Sequence, residues 1–229
     1  MSPNANTPHL DQLIQQLHNK NKLIKQMIHK GTTLYRVQPA GFPTANPFST
    51  PLVLGRYNGP LNEMKVWYGA QHPTGALAET FGRLRPTGGD AFGVMLSTDD
   101  LKSRDMCEVE TCQSLTVLDL KPSLSRMGLT IDTISNPDYS LTNNIVRIVS
   151  RLPERPFHGI AYESRHHPDG HQCYALWIEA QDIPTVSGGR IRNLSQYIYS
   201  GDLPSDWGDE DMDAEEMLTE ILGYRVIHG

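Results

Sequence analysis

The sequence predicts an α+β fold in which mixed sheets are flanked by helices and preceded by an N-terminal helical arm. Apolar segments of strand length and amphipathic segments of helical length follow one another in mixed order, without the regular alternation of a parallel α/β fold. The 19 glycines and 16 prolines lie mostly between those segments, as in a chain with many loops. With 38% hydrophobic residues over 229 positions, the chain can bury a substantial core.

The first element is an amphipathic helix predicted over residues 8–30. Its apolar residues recur on one face, Asn6 or Thr7 can cap its start, and a glycine ends it. We therefore divide the chain into an arm, residues 1–31, and a main domain, residues 32–229. The arm is expected to pack on the main domain or on a second copy of the chain, which leaves a homo-oligomer open.

Short strands and one helix follow in the first half of the main domain. The proline-rich stretch 39–51 excludes regular structure, and a loop of that length in a compact domain is often functional. The predicted elements are strands at 32–38, 65–70, 91–97 and 115–120 and a helix at 73–84.

The second half begins with a helix predicted over residues 136–152. Leu141, Ile145, Ile148 and Leu152 recur at helical spacing and form its buried face. Two apolar strands joined by a polar turn come next, and a mixed ending completes the chain. These elements are strands at 157–164 and 172–180, a strand-and-loop region at 189–200, a helix at 213–222 and a last strand at 224–228.

The net charge of −6 is concentrated in one acidic segment, residues 205–216. Seven of the 26 acidic residues lie there, which leaves 19 against 20 basic residues elsewhere. A near-neutral body lacks the clustered cations that coat nucleic-acid-binding proteins, so no nucleic-acid partner is expected. The acidic segment itself is expected to be a solvated face or a flexible loop.

Cysteine usage and hydropathy indicate a cytoplasmic protein without a membrane partner. Cys107, Cys112 and Cys173 are odd in number and form no CxxC pair, which argues against a disulfide framework or a structural zinc site. The first ten residues are polar, and no apolar stretch is long enough to cross a bilayer. A delivery route that needs no signal peptide stays open.

Glu79 is the first candidate for chemistry. It lies in the helix predicted at 73–84, about opposite the apolar stripe that faces the core. That stripe consists of Leu77, Phe81 and Leu84. Glycine inside a helix costs about 1 kcal/mol relative to alanine, so Gly75 and Gly82 near Glu79 suggest clearance for a bulky ligand. Taken alone, a glutamate at such a position is more often a solvated surface residue.

Two arginines and two tyrosines are candidates for ligand binding. Arg36 follows a strand-like segment, and Arg56 lies in the turn-forming sequence GRYNG, residues 55–59. Two guanidinium groups that converge on one ligand suit a pyrophosphate, because each offers a fork of donors. The rings of Tyr57 and Tyr68 can stack on a flat heterocycle. Surface salt bridges for the arginines and core packing for the tyrosines are the structural alternatives.

Ser164 closes the strand predicted at 157–164, beside a polar turn. No Gly-x-Ser-x-Gly surrounds it, so a nucleophile elbow is not supported, and a turn-capping serine is the alternative. His166, His167 and His171 are interrupted by a proline and a glycine, so they lack the spacing of a helical zinc site and no metal is predicted. The sequence contains no P-loop or GxGxxG, and paired glycosidase carboxylates are not evident.

An ordered set of short segments carries a family resemblance. The segments are Tyr35-Arg36, Gly55-Arg56-Tyr57-Asn58, Trp67-Tyr68-Gly69-Ala70, Ala76-Leu77-Ala78-Glu79 and, far downstream, Ser164. This set resembles the RES domain, a family named after an arginine, a glutamate and a serine. The likeness covers about residues 32–200, and the arm and the acidic segment lie outside it. The family usually has tryptophan after the second arginine, where this chain has Tyr57.

The resemblance implies a fold like that of ADP-ribosyltransferases and an enzyme that acts on NAD+. Many RES proteins are toxins that split the nicotinamide–ribose bond with phosphate or water as the acceptor, and most have a protein antitoxin. NAD+ is then the substrate, and no cofactor or metal is expected. The implied catalytic residues are Arg36, Glu79 and Ser164. The implied binding residues are Arg36, Arg56, Tyr57, Tyr68 and Ser164.

Two other functions stay open on the sequence alone. A mono-ADP-ribosyltransferase that modifies a protein would use the same residues. A non-catalytic module could keep the NAD pocket or bind a partner through the arm and the acidic segment. A protein antitoxin or an immunity protein is the expected partner in the toxin interpretation.

Overall fold

The computed structural model of this protein describes residues 7–45, 55–59, 64–84, 93–135, 137–166, 172–178, 186–203 and 211–228. Its centre is an eight-stranded sheet with the spatial order β1-β6-β7-β8-β3-β2-β5-β9. The strands of this sheet are β1 (Lys25–Ile28), β2 (Thr33–Pro39), β3 (Lys65–Ala70), β5 (Arg104–Thr111), β6 (Leu115–Asp119), β7 (Gly159–Glu163), β8 (Gln172–Ile178) and β9 (Val186–Asn193).

Helices and two small sheets surround the large sheet. The helices are α1 (Thr7–Asn19), α2 (Pro73–Phe81), α3 (Thr98–Lys102), α4 (Leu120–Leu124), α5 (Ile131–Ile134), α6 (Ser140–Ser150) and α7 (Ala214–Glu216), which continues as a wider π-helical turn over Met217–Ile221. The small sheets pair β10 (Ile198–Tyr199) with β11 (Met212–Asp213) and β4 (Met95–Ser97) with β12 (Arg225–Ile227). None of the described helices combines the length and the apolar character that crossing a bilayer requires.

The large sheet divides between β2 and β3. Within the described residues, these antiparallel strands share one register pair, Tyr35 with Ala70. Beyond that pair, β2 continues along β5 as far as the pairing of Pro39 with Arg104, while β3 stays paired with β8 over its whole length. The backbone groups that follow Tyr35 and precede Ala70 therefore face a gap rather than each other, and this gap positions the site.

Alternating residues of the strands bury two hydrophobic clusters, one on each face of the sheet. The larger cluster includes Met106, Leu118 and Ile160 and takes in the helices, whereas the smaller one includes Trp67 and Leu176. This period-2 pattern is what a sheet covered on both faces requires. The predicted α+β class is confirmed.

The N-terminal helix is shorter than predicted. It ends at Asn19, and Lys25–Ile28 forms an edge strand antiparallel to β6, so the prediction of one helix over 8–30 is wrong for its second half. Leu10 and Ile14 are buried in the larger cluster, and Asp11 accepts a hydrogen bond from Arg147 at 3.0 Å. The helix thus packs on the body of the protein, and the division at residue 31 falls between two strands of one sheet.

Most other predicted elements are confirmed, but the short helices α3, α4 and α5 were not predicted. The sequence interpretation missed β5, although this strand joins β2 to β9. Leu84, expected on the core stripe of its helix, is 54% exposed, because α2 ends at Phe81 and a 3-10 turn follows. In the acidic segment, Asp213 and Glu216 form a capping box at the start of α7 and both are exposed, so this part is a solvated face, one of the two alternatives expected for it. Positions 205–210 of that segment lie outside the described residues.

Candidate active site

The gap between β2 and β3 opens into a cavity of about 700 Å³. Its volume lies within the usual range for sites that bind small molecules and cofactors. The predicted site residues meet here although they come from distant parts of the chain. Those that line the cavity are Arg36, Arg56, Tyr57, Tyr68, Glu79 and Ser164.

Helix α2 carries Glu79 to the wall of this cavity. Pro73 is its first residue, and the side chain of His72 caps it by accepting the N–H of Thr74 at 3.3 Å. Small residues let the helix lie close to β2 and β3, and nearly all of its side chains are buried. Glu79 is only partly buried, so its carboxylate is held at the cavity surface by a rigid element.

Two hydroxyl groups, from Tyr162 in β7 and from Ser164 directly after it, hold the Glu79 carboxylate. The Ser164 hydroxyl donates to Oε1 at 2.7 Å, and the Tyr162 hydroxyl donates to Oε2 at 3.1 Å. Ser164 also accepts the backbone N–H of His166 at 3.2 Å, so its hydroxyl bridges the carboxylate and the following turn. Burial and the nearby Glu79 charge raise the pKa of Tyr162 well above its usual value, which keeps this phenol a donor.

The clearance around Glu79 has a different origin from the one predicted. A Cβ atom added at Gly82 would lie 2.4 Å from the Cβ of His166, so this glycine makes room for the turn after β7. Gly75 is buried inside the helix packing. The two glycines beside Glu79 therefore serve packing against the protein itself.

The turn that carries Arg56 is held by side chains from two other elements. The Tyr68 hydroxyl donates to Oδ1 of Asn58 at 2.7 Å and accepts the N–H of Tyr57 at 3.0 Å. A Cβ at Gly55 would lie 2.7 Å from that hydroxyl, so glycine is required for this close approach. The polar end of Tyr68 is thus engaged by the turn, and its ring is the part that borders the cavity.

Asn143 of α6 completes the support of this turn. Its amide nitrogen lies 2.9, 3.0 and 2.8 Å from the carbonyl oxygens of Gly55, Arg56 and Asn58. The residue is 6% exposed, so the bonds are shielded from water. The sequence interpretation missed Asn143, because nothing in its neighbourhood marks this asparagine as buried.

Arg56 projects from the turn onto the end of α5 and the segment that follows it. Its guanidinium donates to the carbonyl of Ile134 and lies 4.5 Å from the ring centroid of Tyr139. Arg165, next to Ser164, donates in the same way to the carbonyl of Ser135 at 3.1 Å. Two cavity arginines therefore hold neighbouring carbonyls of one wall.

Arg36 occupies a partly buried position near the division of the sheet. Its guanidinium carbon lies 6.0 Å from the ring centroid of Trp67, and its Nη1 atom is buried without a hydrogen-bond partner among the described residues. Burial lowers the pKa of Arg36, because desolvation disfavours the charged form. A buried cationic donor with an unmet hydrogen bond is a site where an anion would be stabilised.

The charge of the cavity lining is predominantly positive. The cationic residues are Arg36, Arg56, Arg83, Arg104, Lys121 and Arg165, and the anionic ones are Glu79 and Glu163. Lys121 and Glu163 pair with each other at 2.6 Å on the exposed rim. Their charges largely cancel, so five arginines face one carboxylate, which favours an anionic ligand.

The histidines of the polar turn are only partly described. His166 lines the cavity, and His167 and His171 lie outside the described residues. Within the ranges that the structure describes, no cluster of His, Cys, Asp and Glu could hold a metal ion.

Tyr57 and Tyr162 form the aromatic floor beside the carboxylate. Their ring centroids are 4.5 Å apart with the planes inclined by 42°, and both side chains are more than 90% buried. Tyr162 was missed in the sequence interpretation. A signal did exist, because Tyr162 precedes Ser164 by two residues in the strand predicted at 157–164, and this spacing places both side chains on the same face.

Comparisons with known proteins bear on the family and the fold. A family model described as the RES domain matches residues 33–194. A solved structure with a similar fold is a chain of the M. tuberculosis MbcT–MbcA toxin–antitoxin complex, with 18% sequence identity over 81% of this chain and 92% of that chain, and a TM-score of 0.59. At that identity the likeness concerns the fold. No curated protein matches the sequence.

Proposed function

This chain belongs to the RES domain family, and we propose that it is a toxin-like enzyme that cleaves the bond between nicotinamide and ribose in NAD+. The observation that carries the proposal is the Glu79 carboxylate, which two hydroxyls orient in the same cavity as Arg36, whose Nη1 atom is buried without a hydrogen-bond partner among the described residues. One end of such a site suits a developing cation and the other suits a phosphate group.

Glu79 is proposed to stabilise the charge that develops on the ribose. When the C1′–N bond breaks, its electron pair stays on the ring nitrogen and neutralises the pyridinium. The ribose is left with the positive charge of an oxocarbenium ion. A carboxylate already oriented by Ser164 and Tyr162 stabilises this charge without reorganising during the reaction.

Arg36 and Arg56 are proposed to bind the pyrophosphate and thereby position the reacting bond. Arg36 has a buried donor to offer, and Arg56 sits on a turn that Tyr68 and Asn143 hold in place. Binding energy from the part of the substrate that does not react can position the part that does. Tyr57 and Tyr68 would border the nicotinamide or the ribose.

Phosphate is the acceptor that the cavity charge favours. Capture of the ribose by hydrogen phosphate forms a C1′–O bond and gives ADP-ribose 1″-phosphate, whereas capture by water gives ADP-ribose and a proton. A second anion beside the dinucleotide needs further cations near the carboxylate. Arg165 next to Ser164 and Arg83 shortly after Glu79 both line the cavity and can supply them.

The test is the mass of the products across a phosphate titration of the purified protein with NAD+. We expect nicotinamide release to rise with phosphate and ADP-ribose 1″-phosphate to appear. Arg165→Ala should raise the phosphate concentration that gives half-maximal release roughly tenfold or more. Arg190 is an exposed arginine on β9, and Arg190→Ala should leave that concentration unchanged. If the rate of nicotinamide release does not depend on phosphate and ADP-ribose is the sole product, the protein is a glycohydrolase. If labelled NAD+ transfers its label to a protein in a lysate, it is an ADP-ribosyltransferase.

A protein antitoxin is the proposed partner. The similar fold in a toxin–antitoxin complex and the family membership support such a partner. Expression of the chain alone should then arrest growth and deplete cellular NAD+. Arrest by the Glu79→Gln variant at the same protein level would contradict an NAD+-degrading toxin.

A further inference from the structure

We propose that Tyr162 is a positioning residue for this reaction, acting through the orientation of the Glu79 carboxylate. The inference rests on the proposed function, because it assigns a role within the same site. The family resemblance gives Tyr162 no role, and its assignment comes from the contacts of its hydroxyl alone.

The carboxylate is held at both of its oxygens. Ser164 donates to Oε1 and Tyr162 donates to Oε2, so the two bonds end on different atoms. The terminal torsion of a glutamate is soft, and a single hydrogen bond leaves the carboxylate free to rotate about that contact. Two donors together define the plane of the group, and Tyr162 is therefore needed for a single orientation.

The Tyr162 hydroxyl is itself placed by rigid elements. Its strand, β7, is paired on both sides, in parallel with β6 and antiparallel to β8. Its ring packs against that of Tyr57 and is 8% exposed. The position of the donor therefore follows from the sheet and the core, which is how precise sites are supported.

The phenol has the chemical state that this role requires. Burial and the adjacent carboxylate raise its pKa well above the usual value, so it stays protonated throughout the working range of pH. Its single proton is directed at Glu79. The Tyr162 hydroxyl contacts the Glu79 carboxylate and has no proposed contact with the pyrophosphate. Its removal should therefore lower kcat and leave the affinity for the adenosine diphosphate part of the substrate unchanged.

The experiment compares Tyr162→Phe with Tyr174→Phe in the full chain. Both substitutions remove one hydroxyl from a buried tyrosine on neighbouring strands, but Tyr174 lies in the smaller cluster and bonds Gln26. We expect Tyr162→Phe to lower kcat for nicotinamide release about tenfold, with KM and the Kd of ADP-ribose within about twofold of wild type. Tyr174→Phe should stay within about twofold in all three quantities.

A double variant separates positioning from a general packing defect. If Tyr162 acts through Glu79, then adding Tyr162→Phe to Glu79→Gln costs no further activity. A further loss, or a weaker Kd for ADP-ribose, would mean that the substitution disturbs the pocket itself, and the role would be wrong. If the wild-type protein is active and both tyrosine variants have the same kcat, the role of Tyr162 is wrong but the proposed function stands. If the wild-type protein does not cleave NAD+, the proposed function is wrong as well.

Discussion

Replacing Glu79 by glutamine removes one charge and almost nothing else. The two side chains have nearly the same volume and shape, so packing around α2 is preserved. The Ser164 and Tyr162 hydroxyls can each donate or accept, so one can still donate to the amide oxygen while the other turns to accept from the amide nitrogen. The substitution therefore tests the negative charge at this position.

The expected loss of activity follows from the charge. A unit charge about 4 Å from the developing cation contributes about 4 kcal/mol at the effective dielectric of a partly exposed site. Only part of a unit charge develops in the transition state, and Glu79 is partly exposed, which reduces this figure. We expect kcat to fall by a factor of about 10² to 10³.

The stability of the Glu79→Gln variant should change little. Because both hydroxyls keep a hydrogen-bond partner, the free energy of unfolding should change by less than about 1 kcal/mol, which is about 2–4 °C in Tm for a chain of this size. Calorimetry of the variant beside wild type measures this shift. The kinetic comparison is valid only if the variant is fully folded, because unfolding would also lower the activity.

The assay is initial-rate release of nicotinamide from NAD+ by the purified variant. The matched control is Glu110→Gln, an exposed glutamate on β5 that does not line the cavity, and its rate should equal that of wild type. A folded Glu79→Gln protein that turns over NAD+ within about threefold of wild type would refute the electrostatic role of the carboxylate.

Three further outcomes are expected. Arg36→Ala should raise the Kd of ADP-ribose about 10- to 100-fold in calorimetric titration, and Arg36→Lys should recover only part, because lysine lacks the planar fork. Asn143→Ala removes the donor to three carbonyls of the Arg56 turn, so it should lower Tm by about 3–10 °C and raise KM for NAD+. Burial raises the pKa of Cys107 to about 12, so at pH 8 only about one molecule in 10⁴ carries its thiolate, and labelling should detect Cys112 quickly and Cys107 only as pH approaches 12 or after unfolding.

Each of these outcomes has a matched comparison. Unchanged ADP-ribose affinity in both Arg36 variants would exclude the pyrophosphate role. Asn144→Ala, at the next position of the same helix, should cost less stability than Asn143→Ala, and equal losses would contradict a specific support of the turn. Rapid labelling of Cys107 in the native protein at pH 8 would mean that β5 opens locally.

Local sequence patterns predicted the helix and strands that carry the site residues but missed two strands of the large sheet. The strands β3 and β7 are visible in the sequence as short apolar and aromatic runs, and the helix around Glu79 is visible from the spacing of Leu77 and Phe81. Strand β5 mixes acidic and apolar residues without a clean alternation, since it is a central strand with a bulge opposite β9. Lys25–Ile28 was taken for helix because pairing with β6, a tertiary contact, decides its conformation.

The residue types and their order were enough to predict the family and the fold class, and they supplied the candidate site residues, which line one cavity. Arginine, tyrosine, glutamate and serine side chains have limited chemistries, and their sequence order is visible without coordinates. The tertiary structure alone decided which of them touch: Glu79 meets Tyr162 and Ser164 across 83 and 85 residues of chain. That contact depends on the order of strands in the sheet and on the division between β2 and β3, which no local period encodes. The same geometry gave Asn143 and Tyr162 their places, because burial and hydrogen bonding are properties of the packed molecule.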